Sequence, residues 1–270
     1  MKIITFLFII VIICPSTAFA QEEKSDVSDE QEEAELAKKL SNPIASLISV
    51  PFQNNTDYGI GANNGSRNTL NLQPVIPIKL SGQLNLITRT ILPIVSQLNI
   101  TGEGSLQSGL GDAVFSGWFS PSSGKVTWGV GPALLLPTAT NYLLGAKKFG
   151  VGPTAILLQQ KNGYTYGALA NQIWSVAGDP NRTDVNQLFL QPFVAYNWKS
   201  GAGLGANAEI TQNWQANTTT AFLNPTLSAV TKFGTQVVSI AAGPRIPVAA
   251  PSNAIPQFGW RAVLTFVFPK

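Results

Sequence analysis

From Thr69 to Phe268 the chain is a succession of ten-to-thirteen-residue runs in which apolar and polar residues alternate. In the last of them, Gln257 to Lys270, the even positions Phe258, Trp260, Ala262, Leu264, Phe266 and Phe268 are all apolar. The odd positions Gln257, Gly259, Arg261, Val263 and Thr265 are mostly small or polar. A period of two is that of a strand, since successive side chains point to opposite faces. The same pattern sets Leu204, Ala206, Ala208 and Ile210 against Asn207, Glu209, Thr211 and Asn213, and Leu223, Leu227 and Ala229 against Asn224, Thr226 and Ser228. A soluble sandwich covers its apolar faces with a second sheet, whereas runs this long with two faces of equal extent suit lipid on one side and water on the other.

The connections carry a second signal. Leu80–Gln83, Ser120–Gly124, Lys161–Asn162, Lys199–Gly201 and Lys232–Thr235 are short; Ser96–Ser108, Pro137–Lys148, Ser175–Asp184 and Val248–Pro256 are long, with Gln215–Thr218 between. Short and longer connections alternate, as in outer-membrane barrels with tight periplasmic turns and longer external loops. The runs amount to eleven strands, and closure of an antiparallel barrel calls for an even number, so a twelfth is expected at Ser49 to Gly61. The expected fold is all-β, a closed antiparallel transmembrane barrel of about twelve strands, with ten or fourteen as alternatives. Prolines 74, 77, 93, 132, 153, 192, 225 and 244 oppose it unless they lie at bulges or strand ends, because each removes a ladder donor.

Composition divides the 270 residues. Residues 1–20 pair Lys2 and an apolar run with Pro15 and Ala18-Phe19-Ala20, the form of a signal peptide cut before Gln21; Ile13 before Cys14 disfavours a lipoprotein site. Cleavage there removes the one cysteine, and with it disulfides and thiol chemistry. Residues 21–42 form an acidic periplasmic head, with eight carboxylates against three lysines from Gln21 to Leu40. Ser25 to Leu40 places acids early and lysines late, as the helix dipole prefers, and reads as a short solvated helix; Pro43 to Ile48 offers a second helical turn at the barrel mouth. Residues 43–270 are the barrel.

The chemistry is defined largely by absence. There is no histidine, which removes His-based triads and His-ligated metals. The carboxylates of the body, Asp57, Glu103, Asp112, Asp179, Asp184 and Glu209, share no strand. No enzymatic activity, catalytic residue, metal site or cofactor is expected. The basic surplus is scattered, without the clustered footprint of a nucleic-acid binder. The candidate functional residues are charges expected to face the lumen: Lys79, Arg89, Asp112, Lys125, Glu209, Arg245 and Arg261. Such groups either pair to prop a closed barrel or line a water path. The six tryptophans, with Tyr164, Tyr166 and Tyr196, fit interfacial girdles on the apolar face.

The segments NPIASLISVPFQNN, LITRTILPIVSQ, GLGDAVFSGWFSP, WGVGPALLLPTAT, GVGPTAILLQQ, YGALANQIWSVAGD and LQPFVAYNW, in that order, resemble the bacterial outer-membrane family labelled MetA-pathway of phenol degradation, whose members are also called transporters or, mistakenly, neuromedin U. The resemblance covers about Ser41 to Lys270. It implies a barrel handling small hydrophobic or aromatic compounds, and the family offers no catalytic or binding residues to carry over. The expectation is a passive channel or uptake transporter in the outer membrane with both termini periplasmic. Its partners would be outer-membrane lipid, a small-molecule solute and the barrel-assembly machinery, with no nucleic acid; its oligomeric state is left open. The alternatives are a non-conducting structural or surface-interaction barrel and a secreted soluble β-sandwich.

Overall fold

The computed structural model describes residues 25–268. The expected signal peptide, its cleavage site and Cys14 lie outside them. Helix α1, Ser25–Leu40, is followed by fourteen strands: β1 Ile48–Ile60, β2 Gly65–Leu72, β3 Val75–Lys79, β4 Leu84–Leu98, β5 Leu106–Leu110, β6 Ala113–Pro121, β7 Thr127–Leu136, β8 Lys148–Lys161, β9 Tyr164–Gly178, β10 Asn186–Asn197, β11 Ala202–Asn213, β12 Thr218–Phe233, β13 Gln236–Ala249 and β14 Phe258–Phe268. All pair antiparallel with their neighbours, and β14 returns to pair with β1 from Ile48↔Phe268 to Tyr58↔Phe258. The barrel is therefore closed, without the free edges that an open sheet would leave.

Fourteen strands make twelve staves. β2 and β3 pair with β4 in one register, from Ser66↔Leu98 to Lys79↔Asn85, and are parted only at Gln73-Pro74, where the proline has no N–H to give. β5 and β6 both pair with β4, Ile94↔Leu110 and then Ile91↔Val114, a one-residue slip at Gly111-Asp112 that constitutes a bulge. With these two unions the expected twelve-stave barrel is what forms, including the strand that completes the even number.

The other prolines find the same accommodation. Pro132 of β7 faces Pro153 of β8, so their missing donors lie opposite each other. The ladder between β10 and β11 skips Gln191 and Pro192, and that between β12 and β13 skips the stretch where Pro225 approaches Gly243 and Pro244. Glycines precede several of these prolines for a steric reason: a Cβ on Gly131, Gly152 or Gly243 would run into the carbonyl oxygen of Gly117, Gln172 or Pro225 on the adjacent strand.

Leu40, where α1 ends, and Phe268, where β14 ends, lie at one mouth of the barrel, the helix end, where the connections are the short ones, such as 162–163 and 234–235. The opposite loop end carries 99–105, 137–147, 179–185 and 250–257. The outer surface bears two aromatic belts. Trp128, Tyr164, Tyr166 and Trp198 are exposed near the helix end, and Tyr58, Trp174, Trp214 and Trp260 near the loop end. From Tyr166 to Trp174 along β9, about 3.4 Å per residue and a tilt near 40° give a rise of roughly 21 Å, close to the apolar height of a membrane barrel. Trp118 departs from the girdle expectation. It points inward, is fully buried, and its Nε1 donates to Thr154 Oγ1 at 3.1 Å.

The acidic head is not simply solvated. Leu36 and Ala37 of α1 are buried with Leu47 against Val230, Val237 and Val267 at the helix-end mouth, and Leu40 packs beside them. Three polar ties hold the helix there: Gln160 Nε2 donates to Lys38 O (2.7 Å), Asn197 Nδ2 donates to Ser41 Oγ (2.8 Å), and Lys232 pairs with Glu32 (3.0 Å). The expected helical turn at 43–48 is instead a bend, started by Asn42 Oδ1 accepting from the N–H of Ile44. It drives Ile44, 2% exposed, into the lumen beside Val75, Ile87, Trp118, Ile156, Leu158 and Leu169.

Candidate functional site

The lumen is layered. Its helix-end half is apolar on one side, because β3, β4, β6, β8 and β9 turn aliphatic side chains and Trp118 inward to meet Ile44. Its loop-end half is polar. There Glu209 of β11 bridges two arginines, accepting from Arg245 Nη1 at 2.7 Å and from Arg261 Nη2 at 2.7 Å. Arg245 Nε donates to Asp57 Oδ1 (3.2 Å), its Nη1 also reaches Asn224, and its guanidinium stacks over Phe222 with Cζ 3.6 Å from the ring centroid. Arg261, 2% exposed, completes its fork on Asn55 and Asn207. Three strands from the C-terminal part and one from the N-terminal part thus share one charge cluster across the β14–β1 seam. Gly259 makes room for it: a Cβ there would stand 2.5 Å from Asp57 Oδ1.

Alternation explains why these side chains meet. β1 turns Ser49, Gln53, Asn55 and Asp57 inward between outward Val50, Phe52 and Tyr58, and pairing with β14 sets Asn55 level with Arg261. Next to the cluster, Arg67 Nε donates to Gln97 Oε1, whose Nε2 donates to Gln107 Oε1.

The seven expected lumen charges divide three ways. Glu209, Arg245 and Arg261 form one cluster. Arg89 also points inward, but stands alone: its guanidinium lies 5.3 Å from the Trp118 ring centroid, and its Nε is buried without a partner among the described residues. Of the remaining three, Lys79 and Lys125 lie off the lumen, and Asp112 borders a loop-end recess that Arg67, Thr69, Val95 and Gln97 also line. Lys79 is exposed at the helix-end rim of β3, and Lys125 is exposed in the 122–126 turn beyond the strand, so neither has walls to face. Asp112 sits at the β5–β6 bulge and is consumed locally. It accepts from the N–H groups of Ala139 (3.2 Å) and Ala146 (2.6 Å) and so fastens the 137–147 loop, which Arg182 Nη2 also grips through the carbonyls of Tyr142 and Gly145.

Asp57, Arg67 and Asn55 are not among the expected lumen residues, whereas the alternating pattern already sets Asn207 and Asn224 on the polar faces of their runs. The odd–even pattern of β1 and β2 held the first two, masked by Pro51 and the Asn54-Asn55 pair; which arginine each asparagine meets depends on the register. At the loop end of β8 and β9, Lys148 Nζ and Ser175 Oγ donate to Asp184 Oδ1 at 2.8 and 3.1 Å. The lysine bond foremost holds the Asp184 carboxyl below the usual carboxylate range.

Between the apolar half, the charge cluster and the inserted segment from Ala37 to Leu47 lies a cavity of about 310 Å³. Gln53, Gln73, Gln191 and Asn207 supply amides to its wall, Phe193 and Val75 apolar surface, and Arg89 and Lys39 positive charge; no carboxylate among the described residues lines it. Among the described residues no cluster of carboxylate and thiol ligands could hold a metal ion.

The whole barrel is similar to the COG4313 outer membrane channel from Pseudomonas putida F1, with a TM-score of 0.64 and 16% identity over 84% of this chain and 97% of that one. At that identity the likeness shows the fold, a closed antiparallel β-barrel. Outer membrane phospholipase A from Escherichia coli superposes at a TM-score of 0.42, with 9% identity over 83% of this chain and 98% of that one. The beta domain of the Bordetella autotransporter BrkA does so at 0.42, with 10% identity over 82% and 100%. Scores at that level carry no argument about this chain. No protein-family model and no curated protein sequence matches it.

Proposed function

We propose that this barrel is a passive outer-membrane channel or uptake protein for small molecules, hydrophobic and aromatic ones included, with α1 seated in its periplasmic mouth. The observation that carries the reading is the lumen cavity of about 310 Å³, which falls in the size range of small-molecule sites and is walled by both amides and apolar side chains. A barrel needing only to be propped would have little use for that space. Likeness to a protein described as an outer membrane channel supports the same reading. The orientation rests on the short turns at the helix end, which suit the periplasm, and the longer loops at the other.

Catalysis has little support. Glu209 and Asp57 are the inward carboxylates of the charge cluster, and both are held by arginines.

The rival reading, a non-conducting structural barrel, draws on the paired charges and the apolar filling of the helix-end half. Planar-bilayer current and liposome flux separate the two. The refolded protein is expected to pass small solutes slowly, and a form lacking residues 21–40 faster. Absence of flux from both forms would sink the channel reading.

A further inference from the structure

Arg89 is the one lumen arginine among the described residues to which neither a carboxylate nor an amide is bonded. Arg245 and Arg261 divide Glu209 and Asp57 between them, and Arg67 donates to Gln97. Glu209 is engaged by Arg245 and Arg261, and it acts on Arg89 only through space, without a hydrogen bond. Arg89 projects from the middle of β4, between Val75 and Ser116 on the flanking strands, over the face of Trp118 and into the 310 Å³ cavity. A guanidinium taken from water without a counter-charge is costly, and such a group favours whatever anion can reach it. Among the described residues four inward arginines face Glu209 and Asp57, with Asp112 bonded to loop amides, so the lumen leaves positive charge over, and no described carboxylate lines the cavity.

We propose that this cavity is a binding site for a small organic monocarboxylate with a flat apolar body. The carboxylate would lie on the guanidinium fork of Arg89 and the body against Phe193 and Val75. Arginine presents paired N–H donors that match a carboxylate bidentately, and the ring of Trp118 beneath holds the fork in place. Gln53, Gln73 and Gln191 add donors around the rim of the cavity. The apolar wall is what separates this class from inorganic anions, which would gain nothing from Phe193. The site deepens the channel reading by naming the solute class, and it rests on that reading.

Calorimetric titration of the refolded full chain with benzoate, benzyl alcohol, acetate and inorganic phosphate tests it. Benzoate is expected to bind about tenfold or more tighter than the other three. Arg89→Gln should reduce benzoate affinity about tenfold or more and leave benzyl alcohol unchanged, while Arg89→Lys, keeping charge without the fork, should fall between. Heat-modifiable migration verifies that each variant has folded; if R89Q does not fold, the wild-type ligand series and R89K decide. Benzyl alcohol, acetate or phosphate binding as tightly as benzoate, no binding of benzoate, or an R89Q protein that binds benzoate like the wild type would each overturn the proposal. Flux is measured separately. Arg89-dependent benzoate binding without flux would defeat the channel reading and leave the site standing, whereas flux without such binding would defeat the site alone.

Discussion

Glu209 shows what one residue does in this lumen. It is the shared acceptor of two arginines that are nearly sealed from solvent, and without it Arg245 and Arg261 would face each other with only Asp57 and asparagine amides to compensate. Removing one partner of a buried pair leaves an uncompensated charge, so Glu209→Gln is expected to destabilise the barrel by about 3 kcal/mol. Urea unfolding in detergent micelles reads this, and an unchanged midpoint would mean that water in the lumen supports the arginines equally well. Trp118 is the apolar counterpart. It is fully buried, bonded to Thr154 and stacked under Arg89, so Trp118→Ala should cost about 3–5 kcal/mol, more than truncation of the exposed Trp260. Both residues stand on strands whose alternation was readable, but only the pairing of strands remote in sequence reveals what faces them.

At the scale of elements, α1 is the part whose role the sequence understates. Its few apolar residues are too sparse for an amphipathic stripe, yet Leu36, Ala37 and Leu40 occupy one turn and find Val230, Val237 and Val267 in the barrel mouth. Leu36→Ala is expected to weaken docking by about 2 kcal/mol, roughly thirtyfold, with the barrel left intact. Faster trypsin cleavage after Lys38 or Lys39, together with increased bilayer current, would register it; unchanged cleavage would show that the polar ties to Gln160 and Asn197 suffice. The 179–185 loop responds to pH. Asp184 has its pKa lowered by Lys148 and Ser175, so its contribution is present above the ordinary carboxylate value, about 3.9, and disappears as pH falls through the lower folded value. Amide exchange at Val185, whose N–H donates to Ser175 Oγ, should quicken in that acid window, and Asp184→Asn should show the quickened rate at neutral pH.

For the molecule as a whole, closure is the decisive event, and it joins the two ends of the barrel sequence. β14 supplies neighbours to both β13 and β1 and contributes Arg261 to the charge cluster, so a chain ending before Phe258 would expose two edges and strip Glu209 of a partner. Such a chain is expected to lose heat-modifiable gel migration entirely, whereas the form without residues 21–40 should keep it.

The sequence by itself determined the strand period, the alternation of short and longer connections, the even stave number and the inward direction of Arg89, Glu209, Arg245 and Arg261, because each follows from a local rule: a two-residue pleat, turn length, and polarity against lipid. It could not determine that Ile44 and Trp118 fill the lumen, since inward apolar residues look like outward ones when both faces of a run such as Ile156-Leu157-Leu158 are apolar. Nor could it show that Asp112 is spent on loop amides, or that Arg89 Nε is buried without a hydrogen-bond partner. Those outcomes depend on which side chains the barrel's register and curvature bring to the same height, and on where α1 docks. Such relations hold between residues as far apart as Asn55 and Arg261, and they exist only once the barrel has closed.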